Sequence, residues 1–170
     1  MQTTLDIVHS LSDSQVVEVV KELFDAVYTQ VPYNEVRNNS EAVAEVDPLV
    51  SLDNEALKYE LSATESARLG RLVLEQYARD SELTPFVQQA WDKVQNSDNL
   101  VVVEILALGL VVNLTLLVAT TEVQVQKGAD GTITWKLVKM EAKPELVEAV
   151  VTPVVQAAVK AAIAVKAAIA

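Results

Sequence analysis

The chain has 170 residues, enough for one domain with a real core. Apolar residues make up 51% and charged residues 22%, which excludes a disordered chain, and with only 5% aromatic residues the core must be aliphatic. The lack of cysteine excludes disulfides, thiolate metal sites and a cysteine nucleophile, and a net charge of −11 argues against a nucleic-acid partner.

The charge is unevenly placed. Residues 1–98 carry 18 acidic and 7 basic groups, whereas residues 99–170 carry 6 of each. An acidic half of this kind serves solubility or docks a basic partner. The opening stretch MQTTLDIVHSLSDS has neither a basic region nor a long apolar run, so no secretory signal and a cytoplasmic location are expected.

The first firm helix runs from about Asp13 to Val31. Ser12 and Gln15 form a capping box, and Leu11 and Val16 flank it as a hydrophobic staple. Val16, Val20, Leu23, Val27 and Val31 repeat at helical spacing, and Pro32 ends the element. Residues 32–52 are polar and acidic and read as a loop with one short helical turn near Glu41 to Glu45. Asp53 offers a cap for a short helix through Leu57 and Leu61.

A long helix from about Ala63 to Arg79 follows, with a second capping box at Ser62 and Glu65. Leu69, Leu72, Val73 and Tyr77 form its inner stripe, while Arg68 and Arg71 sit near Glu65 and Glu75 on an ion-paired face. Thr84-Pro85 starts the next helix, because proline in a first turn loses no bond. Asn96 to Asn99 then form a loop and cap.

Leu100 to Ala119 reads LVVVEILALGLVVNLTLLVA, twenty positions of which only Glu104, Gly109, Asn113 and Thr115 are not plainly apolar. A helix of that length spans roughly 30 Å, the width of a small domain or of a bilayer core. The flanking residues Asp98 and Glu122 are acidic, and no aromatic belt borders the run. A buried central helix is therefore the leading reading, and a membrane span over 100–119 is the alternative. Glu104 interrupts the run. In a soluble bundle it lies one turn inside the helix start, near the positive end of the dipole. In a bilayer it lies near the interface, with Asn113 deeper, and such polar groups face other helices.

After Ala119 the period changes to two. Val123 and Val125 alternate with polar residues, as do Ile133, Trp135 and Leu137, around Gly128-Ala129-Asp130-Gly131. This pattern predicts a β-hairpin over about 120–139, which must pack on a helix or another chain because a lone hairpin is marginal. From Pro144 onward the chain is Ala/Val-rich and helical, with Pro153 restarting or kinking it. The hexapeptide VKAAIA occurs at 159–164 and again at 165–170. Six residues turn Lys160 and Lys166 apart by about 120°, which leaves a sticky tail and no clean amphipathic stripe.

No pattern carries catalysis. His9 is the only histidine, without a partnering Ser or Asp pattern. Glu18, Glu22 and Asp25 share one face of the first helix but read as solvated surface, lacking the Asp/Gly spacing of a calcium loop. Trp91 and Trp135 occupy apolar stripes and read as core. No catalytic residue, metal site, cofactor or small-molecule ligand is expected.

Residues 98–140, in which an apolar helix runs into TTEVQVQ, GADG and ITWKLVKM, resemble effector-associated modules of bacterial conflict and signalling systems, of the effector-associated constant component type. That resemblance implies a non-catalytic adaptor. The helix–hairpin junction here lacks the basic residues of those modules, the N-terminal helices are extra, and no functional residue carries over.

The chain thus reads as one mainly α domain over 1–170. Helices surround a central hydrophobic helix at about 100–119, with one hairpin at about 120–139 and a C-terminal Ala/Val-rich helix. The expected function is a non-enzymatic interaction or adaptor protein that binds a protein partner or itself. The expected contact surface is Val123, Val125, Ile133 and Trp135 on the hairpin and Val159 and Ile163 on the tail. The alternative is a single-span or membrane-inserting protein.

Overall fold

A computed structural model describes residues 2–97 and 105–169. The expectation placed on Glu104 lies outside the described residues.

The architecture is mainly helical with one two-stranded antiparallel hairpin. In chain order the helices are α1 (Thr4–Ser10), α2 (Asp13–Gln30), α3 (Tyr33–Ser40), α4 (Asp47–Val50), α5 (Asn54–Leu57), α6 (Ala63–Arg79), α7 (Thr84–Gln95) and α8 (Leu108–Thr120). Strands β1 (Thr121–Lys127) and β2 (Ile133–Lys139) come next, and α9 (Pro144–Ile169) closes the described chain.

The expected Ser12–Gln15 capping box is present: the Gln15 N–H donates to Ser12 Oγ at 3.2 Å and the Ser12 N–H to Gln15 Oε1 at 2.9 Å. Helix α1 was not expected. Thr3 and Asp6 cap it in the same reciprocal way, each bond 3.1 Å long. At Ser62 only half of the box forms. Ser62 Oγ accepts from the Glu65 N–H at 3.1 Å, but the Glu65 carboxylate takes two bonds from Arg68 at 2.9 and 2.8 Å. Arg71 does not pair with Glu75. Its guanidinium donates to the carbonyls of Val8 and Leu11 at 3.0 and 2.9 Å, closing the carbonyl end of α1.

The polar stretch 32–52 carries more order than expected. It holds α3, a 3₁₀ turn at Ala44–Val46 and α4. Buried Val36, Val43, Val46 and Leu49 anchor it to the body, and Pro48 sits in the first turn of α4, where its missing N–H loses nothing.

The central helix is real but shorter than expected. It begins at Leu108, because the chain just before it is claimed by a β-bridge between Glu60 and Ala107. The Leu61 N–H donates to the Leu106 carbonyl at 2.9 Å, the Leu108 N–H to the Tyr59 carbonyl at 2.8 Å, and the Leu106 N–H to Ser66 Oγ at 2.8 Å. Those bonds hold residues 106 and 107 extended and start the helix only afterwards. The 13 residues of α8 span about 20 Å. Every residue from Val111 to Thr120 is buried. Helices α2, α3, α5 and α6 and the tail pack around it. A helix apolar on all sides is satisfied by such surroundings.

The approach of α5 is tight. A Cβ built on Gly109 meets the Leu57 carbonyl oxygen at 2.9 Å, so glycine is needed there. The hairpin pairs Val123 with Leu137 and Val125 with Trp135, and Gly131 turns it with φ +84°. In α9, residues Val147–Val151 form a π turn directly before Thr152 and Pro153. The Thr152 N–H reaches back five residues to the Val147 carbonyl. This wide turn absorbs the proline, which has no N–H and crowds the preceding turn, so the helix runs through instead of restarting.

Candidate interaction surfaces

The surface carries three features: the hairpin, the far part of α9, and a groove at the base of the hairpin beside the start of α9.

The inward face of the hairpin is Val123, Leu137, Val125, Trp135 and Ile133. Cover on it falls off toward the turn. Val123 is buried, so it belongs to the core and not to a contact surface: adjacent to α8, it points straight into the body. Trp135 is half-buried against Phe86 of α7, with ring centroids 4.9 Å apart. It too is chiefly a packing residue. Val125 is 42% exposed and Ile133 61% exposed. The body stops beneath Trp135, so the last rung of the hairpin stands clear of it.

Helix α9 shows the same gradient. Val150, Val151, Val154, Ala157, Ala158 and Ala161 are buried. On the other side and beyond them Val159, Ile163 and Ile169 are exposed, at 50%, 64% and 75%. The outer face is polar near the start, with Glu148, Thr152 and Gln156, and apolar further on, with Val159 and Ile163. Lys160 and Lys166 are the only charges past Glu148 in the described helix. Among the described residues α9 is also the one helix long and apolar enough to cross a membrane, with about a third of its most apolar stretch buried by the protein.

A groove of about 930 Å³ opens between the end of α6, the base of the hairpin and the start of α9. Its carboxylates are Asp80, Glu82, Glu122, Glu141 and Glu145, and its cations are Arg79 and Lys143. Val118, Val123, Met140 and Leu146 supply apolar lining. Sequence reasoning missed this groove. Its acids come from three separate segments that only the fold brings together.

The buried polar groups serve the scaffold. Asn113 is buried; its side-chain amide donates to the Gly109 carbonyl at 2.8 Å, and its own carbonyl accepts from the Tyr28 hydroxyl at 2.6 Å. The Tyr77 hydroxyl donates to the Leu114 carbonyl at 2.7 Å. Burial pushes both phenols well above the ordinary tyrosine range. Ser40 Oγ donates to the Val36 carbonyl at 2.9 Å and lies 3.0 Å from Thr120 Oγ1.

Some of the titratable surface groups are ion-paired. His9 lies 3.6 Å from Glu75, and Lys93 lies 2.9 Å from Glu22. The Glu22 carboxylate raises the Lys93 ammonium above its usual value, and the bonds from Arg68 lower Glu65. Among the described residues no group of three His, Cys, Asp or Glu side chains is placed to hold a metal ion.

Comparison of the chain with protein-family models, with curated proteins and with solved structures gives no match.

Proposed function

We propose that the protein is a non-catalytic interaction module that engages protein partners through two apolar projections, the hairpin tip and the far part of α9. The observation that carries this reading is where the five most exposed large apolar side chains lie. Val125 and Ile133 stand on one projection, and Val159, Ile163 and Ile169 on the other. Exposed apolar side chains gathered at projecting ends mark contact sites, whereas scattered ones are ordinary. The resemblance of residues 98–140 implies the same adaptor role, and a cytoplasmic location is proposed with it.

Site-specific photo-crosslinking in the native host tests the reading. A photoreactive residue at Ile133 or Ile163 should give discrete protein adducts that the same probe at Glu35, on α3, does not give. Equal labelling at all three positions would overturn it.

A second reading places α9 in or on a membrane, favoured by its length and apolar composition. It replaces the sequence-based alternative of a span over 100–119, since α8 has 13 residues and is enclosed by protein. Flotation of the chain with lipid vesicles separates this reading from the first.

A further inference from the structure

We infer that the partner of the far part of α9 is a second copy of this chain, and that it seats in that copy's acidic groove. This rests on the interaction-module reading and names the occupant.

The two surfaces are complementary in charge and in character. The exposed stretch of α9 offers Val159 and Ile163 flanked by Lys160 and Lys166, with no acid. The groove offers half-buried Met140 and Leu146 together with five carboxylates and two cations. Small alanines between the larger side chains let such a helix approach closely. The groove's own α9 cannot fill it. Leu146 lines the groove, and Ile163 stands about 25 Å further along the same helix at 1.5 Å per residue. The contact must therefore be made between chains.

Two other occupants of the helix face fit less well. A symmetric pairing of the two α9 faces would bring lysine-bearing surfaces together. An anionic lipid surface would draw the two lysines but repel a body that carries the −11 net charge. Because helix face and groove are different patches, the contact is heterologous. It closes into a ring or continues as an open chain.

Charge-reversed variants of the full chain test this by light scattering on a sizing column in detergent-free buffer. The helix variant carries Ile163→Glu and Lys166→Glu, and the groove variant carries Glu82→Lys and Glu122→Lys. All four positions are exposed, so the far-ultraviolet circular dichroism of both variants should match the parent. The parent at about 100 µM should show at least twice the chain mass, less so as salt screens the contact. Each variant alone should run as a monomer. Mixed together they should associate again, because one intact groove then meets one intact helix.

A monomeric parent overturns the inference. So does association that survives the groove variant, which points to helix pairing, or association that appears only with anionic vesicles, which points to lipid. If self-association fails while the Ile163 probe still captures discrete proteins in the host, the interaction-module reading stands and only the second copy falls. If both fail, the broader reading falls too.

Discussion

The hydroxyl of Tyr77 donates to the backbone carbonyl of Leu114 at 2.7 Å, tying α6 to the middle of the buried helix α8. Tyr28 does the same from α2, reaching the neighbouring carbonyl of Asn113 at 2.6 Å. Two flanking helices are thus fixed to adjacent carbonyls in the middle of a largely apolar helix. Tyr77→Phe keeps the ring and removes the bond. It should cost about 1–2 kcal/mol, read as a lower urea midpoint with unchanged slope.

The same burial gives the protein an alkaline limit. Both phenols are raised above the ordinary value of 10.0 in the folded state. The unfolded chain therefore ionises them first as pH rises. Their contribution is fully present below about pH 10 and is lost above it, as pH climbs toward the folded values. The urea midpoint should fall between pH 9 and pH 11 (bracketing about 10). A chain carrying Tyr28→Phe and Tyr77→Phe should show a shallower fall across the same interval.

Gly109→Ala should destabilise by about 1–3 kcal/mol, since the new methyl meets the backbone carbonyl of Leu57 at 2.9 Å and backbone cannot easily yield. Gly70→Ala is a useful contrast. There the methyl meets the Val16 and Val20 side chains at 3.0 and 3.1 Å, and these can shift. Thermal midpoints should rank the parent first, Gly70→Ala second and Gly109→Ala last.

Phe86→Ala should unseat the hairpin. The substitution removes the ring under Trp135 and should cost about 3–4 kcal/mol. In a Trp91→Phe background, Trp135 is the only indole. Its emission should move to longer wavelength in the Phe86→Ala protein while far-ultraviolet helix signal persists.

Much of this fold is legible in residue patterns because the signals are local. Ser12 with Gln15, Pro32 after a valine stripe, and Thr84-Pro85 each act within one turn, and the helices they bound are where they point. The hairpin follows from alternation around Gly128 and Gly131 for the same reason. Helix α1 could have been read from Thr3 and Asp6, which carry the same reciprocal cap. The start of α8 could not. What keeps the chain extended as far as Ala107 is a bridge to Glu60, 47 positions earlier, and no neighbouring residue announces it. Val123 illustrates the limit for surfaces. Alternation places it on the apolar face with Val125, but only the position of α8 decides that one is covered and the other is not. The groove is the extreme case, since its acids lie on segments that are far apart in the chain.

The central claim is that α8 spends its hydrophobicity inside the protein, leaving the hairpin tip and the far part of α9 as the outward apolar surface. Amide hydrogen exchange of the intact chain, dilute and without detergent, tests it most directly. Amides of 111–119 should be the slowest in the molecule and exchange only on global unfolding, while those of 163–169 and of the hairpin turn should exchange orders of magnitude faster. Fast exchange across 111–119 that slows only when micelles are added would contradict the account.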